Sequence, residues 1–254
     1  MRKKTFSAAF AVLSAVCALS LPSLCDAAET ISPDQLLAVR QAARQGDAEA
    51  QYNLGVCYAN GNGVEKDMQE AVRWFRKAAG RGDAKAQYEL GYCYAFGDGI
   101  EEDFMEAVNW WRKAAHQGDA DAQLDLGVCY QYGAGVELDE KEAVRWYRKA
   151  AEQGDARAQY IVGCCYASRY GVEQDRREAA QWYRKAAVQG HAKAQYELGW
   201  CYDNGKGVKQ DEKEAVRWYR KAAEQGFAPA RRALEAGGEA PPRPRRVSPQ
   251  LVEP

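Results

Sequence analysis

Apolar positions in this chain recur on a fixed beat. From Gly46 to Gln225 five copies of a 36-residue pattern follow one another without insertion or deletion, starting at Gly46, Gly82, Gly118, Gly154 and Gly190; a sixth copy starts at Gly226 and stops early. A period of this length is the signature of a repeat array. In the first copy Ala50, Leu54, Cys57 and Tyr58 fall at helical spacing after Asp47, the position of an N-cap, which predicts a helix with one apolar face. Gly61 and Gly63 then break it: Gly61 sits where a helix C-cap needs left-handed dihedrals, and Gly63 is expected to keep the loop open. Asp67 with Glu70 three residues later reads as an aspartate version of the capping box. The pair recurs as Asp103/Glu106, Asp139/Glu142, Asp175/Glu178 and Asp211/Glu214. The second helix is expected to bury Ala71, Trp74, Phe75, Ala78 and Ala79, its small alanines allowing close approach. One such helix pair cannot bury its own apolar face, so neighbouring copies must stack.

The flanks extend this pattern and then leave it. Ser32-Pro33-Asp34 offers an N-cap with proline at the first helical position, and residues 28–45 align with a second helix as a capping half-repeat. Residues 226–236 align with a first helix in which Pro229 and arginines replace the apolar positions, giving a C-terminal cap. Residues 237–254 are rich in proline and arginine without periodicity, which predicts a disordered tail; a polyproline ligand in PPRPRR is the alternative. Residues 1–27 begin with Arg2, Lys3 and Lys4, continue in an apolar run from Phe6 to Leu21, break at Pro22 and end in Cys25-Asp26-Ala27. This is the order of a secretory signal with a cleavage site. The expectation is a periplasmic or secreted protein with no membrane span after signal cleavage.

The fourteen motif positions of the first copy, Ala50, Leu54, Gly55, Tyr58, Gly61, Gly63, Val64, Asp67, Ala71, Trp74, Phe75, Lys77, Ala78 and Ala79, resemble the Sel-one-like repeat family, a relative of the tetratricopeptide repeat. The resemblance covers residues 46–225, in copies 46–81, 82–117, 118–153, 154–189 and 190–225. It implies an all-α fold, an α/α solenoid (right-handed superhelix) of helix-turn-helix repeats with half-repeat caps. It also implies a scaffold or adaptor for protein complexes, bacterial envelope and host-interaction proteins being among the relatives.

Charge narrows the partner. The chain holds 35 basic and 36 acidic residues. Losing residues 1–27 removes three basic residues and one acidic, leaving a net charge near −3, which argues against nucleic acid as the main partner. Arg76-Lys77 and its equivalents at 112–113, 148–149, 184–185 and 220–221 form a repeated basic pair. It reads first as helix-dipole complementation and second as a docking strip for an anionic polymer. Six cysteines remain after residue 27. Cys57, Cys93, Cys129, Cys165 and Cys201 share one repeat position facing the core. Stacked helices lie about 8–10 Å apart, beyond the roughly 7 Å Cα limit of a disulfide, so no disulfide is predicted. The fourth copy departs from the rest: Cys164 precedes Cys165 and is expected to be the accessible thiol, and Arg169 stands where other copies have a C-cap glycine.

By the same resemblance the first helices line a concave groove, whose positions vary between copies while the framework barely changes. The groove candidates are Tyr88, Tyr92, Phe96, Tyr132, Tyr160, Cys164, Tyr196 and Trp200. Aromatic anchors among scattered charges suit a protein or extended peptide ligand. For Tyr52, Tyr88, Tyr160 and Tyr196 packing against the next repeat is the competing reading. Aromatic rings also stack on sugars, so a glycan or peptidoglycan-fragment binder is the second class. A weak β-lactamase-like hydrolase comes third, suggested by descriptions of relatives. No serine is followed three residues on by lysine, and no KTG is present. His116 and His191 are the two histidines, and neither has a partner at metal-ligand spacing. No catalytic residue, metal or cofactor is predicted, and the paired carboxylates are placed in solvated loops.

Overall fold

The computed structural model describes residues 31–235, and these form twelve helices with no strand. The predicted signal (1–27) and tail (237–254) lie outside the described residues. The chain divides into two compact units, the first ending at Leu138 and the second beginning at Asp139. The first holds α1 (Pro33–Gln45), α2 (Ala48–Asn60), α3 (Met68–Gly80), α4 (Ala84–Phe96), α5 (Phe104–His116) and α6 (Ala120–Tyr132). The second holds α7 (Glu140–Glu152), α8 (Ala156–Ser168), α9 (Arg176–Val188), α10 (Ala192–Asp203), α11 (Glu212–Glu224) and α12 (Ala228–Glu235). Within each unit every helix packs on the next one in the chain. This is the all-α repeat fold that the period demanded.

Local chemistry sets each helix. Ser32 and Gln35 close a full capping box at α1. Asp67, Asp103, Asp139 and Asp175 each take two backbone N–H groups of the following turn, a cap contributing about 1 kcal/mol. The reciprocal half of the expected box is not made at these second helices, because the cap's own N–H is already given to a carbonyl of the first helix, Asp67 to Tyr58, Asp103 to Tyr94, Asp175 to Tyr166 and Asp211 to Tyr202. Glu70, Glu142 and Glu214 accept instead from Arg73, Arg145 and Arg217 one turn on, an i,i+3 charge-assisted pair.

Two glycines per loop have different jobs. The first is a C-cap: Gly61, Gly97 and Gly133 have φ between 68° and 73°. The second is a contact point rather than the spacer expected of it. A Cβ on Gly99 or Gly135 would lie 2.4 Å from the carbonyl oxygen of Met68 or Phe104, at the start of the preceding second helix. The glycine therefore lets one hairpin's loop rest on its neighbour's backbone. Arg169 keeps the C-cap geometry with φ 63° and ψ 38°, and is the one non-glycine at positive φ among the described residues. A left-handed non-glycine costs on the order of 1 kcal/mol. Arg169→Gly is accordingly expected to raise stability by about 1 kcal/mol, read as an upward shift of the urea midpoint at unchanged slope.

Aromatic rings lock the hairpins. Gly91 faces the ring of Trp111, and Gly163 and Gly199 face Tyr183 and Tyr219; a methyl at any of them would come within 2.7 Å of the ring. The first of the second helices buries Ala71, Phe75, Ala78 and Ala79 as the helical spacing predicted, with two differences: Val72 is buried too, and Trp74 is only half-buried. Its face is covered by Lys77, whose Nζ lies 3.8 Å from the ring centroid. Lys113, Lys149, Lys185 and Lys221 sit over Trp110, Trp146, Trp182 and Trp218 in the same way. The lysine half of the basic ridge is thus folded onto tryptophan by cation–π attraction as well as placed in the last helical turn.

A glutamine ladder, unread in the sequence, joins successive helices. Gln51, Gln87, Gln123, Gln159 and Gln195 are all buried, and each donates Nε2 to the carbonyl eight residues earlier, at 3.0–3.2 Å. Gln117, Gln189 and Gln225 donate to the Oε1 of Gln87, Gln159 and Gln195. In the first copy Arg81 replaces that donor, and Gln51 Oε1 is left without a hydrogen bond. The recurrence of glutamine in every copy was the available signal.

Candidate interaction surface of the first helices

The first helices carry the variable positions, and their two units are best taken separately. In the first unit the structure sorts the candidates by burial. Tyr88 is 7% exposed and its hydroxyl donates to Asp125 Oδ2 at 3.0 Å; its carbonyl accepts from Trp111 Nε1. It is a packing residue and not a groove anchor, because its hydroxyl has a buried carboxylate to satisfy. Tyr92, Phe96 and Tyr132 remain half-buried. Tyr92 and Phe96 sit one turn apart on α4 and their rings meet at 4.4 Å, tilted by 38°. Leu124 and Val128, the equivalents on α6 of Tyr88 and Tyr92, are fully buried, and Tyr132 is the equivalent of Phe96.

The first helices of this unit also carry an acidic group, formed by α4 and α6, that the sequence did not single out. Asp125 is 1% exposed. Glu89, one position after Tyr88, is pushed up to about 7 by burial first and then by the charges of Asp119 and Asp121. Asp119 is itself raised by burial while capping α6 through Ala122 N–H. Near neutral pH Glu89 thus exchanges a proton readily, and a cation arriving beside it would favour the charged form. Lys85 lies over Tyr52 at 5.9 Å. Nothing in a single helix pattern marks Asp125 as buried or Glu89 as half-buried with a raised proton affinity; the neighbouring copy does that.

In the second unit Tyr160 and Tyr196 also pack. Tyr160 stacks on His191 at 4.8 Å and tilts against Tyr183 at 6.0 Å, while Tyr196 meets Tyr219 and Phe227, each at 5.5 Å. Trp200 and Cys164 are half-buried. Trp200 rests against two clusters of the core, one containing Leu198 and Trp218 and the other Tyr219 and Ala233. Cys164 is the one described cysteine that is not buried, in keeping with its expected greater access, and its Sγ accepts from the Tyr183 hydroxyl at 3.5 Å. All six described cysteines are unbridged. Burial pushes Cys93 and Cys201 up to about 12 and holds Cys129 and Cys165 well above the ordinary thiol range, which keeps these thiols protonated and inert.

His191 occupies the aspartate's place and does its work. Its Nδ1 accepts from Ala194 N–H at 3.2 Å, which requires the neutral ring. Burial first, then the charge of Lys193, lowers its pKa to about 4. Between pH 4 and 6.5 the unfolded chain binds a proton that the folded chain does not, so stability rises with pH across that window and is complete above 6.5. Lowering the pH from 7 to 4 is expected to cost about 3 kcal/mol through this residue. In His191→Asp that loss should disappear from urea midpoints measured between pH 4 and 7, and an unchanged pH slope would refute the cap's role.

Comparison with known families now has a frame to fit. The Sel1 repeat profile matches residues 48–83, 84–119, 120–155, 156–191 and 192–227. The chain belongs to the Sel1-repeat family. Its phase differs by two residues from the copies counted from Gly46, with the same period. A Sel1 repeat protein of Oxalobacter formigenes is 34% identical with a TM-score of 0.69, the match covering 84% of this chain and 94% of that one. The protein c5321, described as a protective antigen present in uropathogenic Escherichia coli strains displaying an SLR fold, is 40% identical with a TM-score of 0.76. That match covers 80% of this chain and 45% of the other, so the chain spans under half of that relative. No curated protein matches. Sel1-repeat proteins generally mediate protein–protein interaction and are typically scaffolds without catalytic activity.

Proposed function

We propose that this Sel1-repeat chain is an exported adaptor that holds an extended segment of a partner protein on the variable face of its first helices. The observation that carries the reading is the Tyr92–Phe96 pair on α4, two half-buried rings in contact beside Glu89. Half-buried aromatic rings beside ionisable groups are the usual anchors of a protein interface, and rings locked against each other lose little freedom on binding. Export rests on residues 1–27, with their basic start, apolar run and small-residue end. The description of c5321 as a protective antigen is in keeping with export, as a statement about that relative.

The test is photo-cross-linking in the native envelope with a photo-reactive residue at Phe96. One dominant protein adduct, lost when Tyr92→Ala is added, supports the adaptor. The absence of any protein adduct from both Phe96 and Trp200 positions would overturn it. Localisation is read separately, by fractionation and by the mass of the mature N-terminus.

A further inference from the structure

Apart from the first-helix face, the second unit carries an open cleft of about 690 Å³ along α9. Arg177, Arg184 and Lys185 line it on one side, and Ala180, Val188 and Val208 supply an apolar floor. No acidic residue is among its lining. The volume is in the range of ligand clefts, about 300–1,000 Å³.

The charge of this helix sets it apart from its equivalents. Helices α7 and α11 have the same sequence, EKEAVRWYRKAAE, in which three glutamates offset four cations. Helix α9, RREAAQWYRKAAV, keeps four cations and only Glu178. The two missing carboxylates are positional: Arg176 replaces the first glutamate, and Val188 stands where α7 and α11 have Glu152 and Glu224. In α7 that glutamate pairs with the arginine at the position of Arg184, as Arg148–Glu152 at 3.1 Å. Arg184 instead donates to the Tyr202 hydroxyl, and Val188 is left 71% exposed. Lys185 is held over the Trp182 ring at 3.7 Å, so part of the ordering cost of binding is already met.

We infer that this cleft is a second interaction surface, fitted to an acidic protein segment that carries an aliphatic side chain. Carboxylates match the planar fork of Arg177 and the remaining N–H groups of Arg184. The exposed Val188, with Ala180 and Val208, offers the aliphatic group a dry seat, which a purely anionic polymer would not use. The pairing also follows the charge complementarity expected of a specific protein surface.

The test is fluorescence anisotropy of a labelled hexapeptide alternating glutamate and leucine, titrated with the mature chain at low salt. Saturable binding is expected, weakened roughly tenfold in the double variant Arg177→Gln, Val188→Glu. Both replacements are residues of the equivalent positions in other copies, Gln69, Glu152 and Glu224, so the fold is retained, as an unchanged circular dichroism spectrum would verify. Lys213→Glu on α11, the same two-unit change in charge as the double variant, and Phe96→Ala on the first-helix face should leave binding unaltered. No saturable binding, or equal binding by the double variant, would overturn the assignment. Hexaglutamate or polyphosphate binding as tightly as the leucine-containing peptide would overturn it in favour of a general anion surface.

Discussion

Trp111→Ala should lower the stability of the chain by about 4 kcal/mol, the largest single-residue loss expected. Trp111 is fully buried in α5, its indole N–H donates to the Tyr88 carbonyl at 3.2 Å, and Gly91 on α4 leaves room for the ring and for nothing more. Alanine would remove the largest fully buried side chain of that hairpin and leave the Tyr88 carbonyl without this donor, adding a polar cost to the cavity. Other copies carry Phe75, Tyr147, Tyr183 and Tyr219 at this position. Trp111→Tyr should therefore recover a good part of the loss. Urea denaturation followed by circular dichroism decides it. If Trp111→Ala moved the midpoint by the equivalent of less than about 1 kcal/mol, ring-on-glycine packing would not be what holds the hairpin together.

The second large effect is expected at Gly207. Its φ is +78°, and a Cβ built there would lie 1.9 Å from the Arg176 carbonyl oxygen and 2.9 Å from the Arg177 nitrogen. Alanine must therefore accept a left-handed backbone and push a loop off the start of α9. The first costs about 1 kcal/mol or more; the second adds 1–3 kcal/mol of overpacking, because a backbone carbonyl cannot turn aside. A total near 3 kcal/mol follows. Gly205 is the built-in control: its φ is +60°, but a Cβ there meets only the Gln210 side chain and backbone at 3.3 Å or more. Gly205→Ala should cost about 1 kcal/mol, as Arg169 already does in its copy. Equal losses at the two glycines would mean that the second is a turn residue and not a point of contact between repeats.

Much of this architecture could be read before any coordinate. Five copies in register fixed the helix pairs, because a hairpin that exposes an apolar face has no stable form alone. Asp67 and its equivalents marked the second helices, because an aspartate side chain reaches the free amides of the turn that follows it. Gly61 and Arg169 could be ranked by conformational cost, since φ is a local property. His191 stands where the other copies have Asp47, Asp83, Asp119 and Asp155, a departure visible at one repeat position, though not the lowered proton affinity that comes with it.

What the sequence could not rank was the candidate surface. Tyr88 and Tyr92 lie on neighbouring turns of one helix, and both were placed in the groove. Only the next copy shows that Tyr88 is closed off by Asp125 while Tyr92 stays half-buried against Phe96. The same holds for Glu89, whose proton affinity is raised by its desolvation first and then by Asp119 and Asp121 some thirty residues away, and for the second loop glycine, whose necessity is a backbone carbonyl of the preceding hairpin. Helix, cap and turn follow from groups within four residues of each other, so periodicity and residue type determined them. Burial, proton affinity and close approach are set by whatever a neighbouring repeat places opposite, and only the tertiary structure decided those.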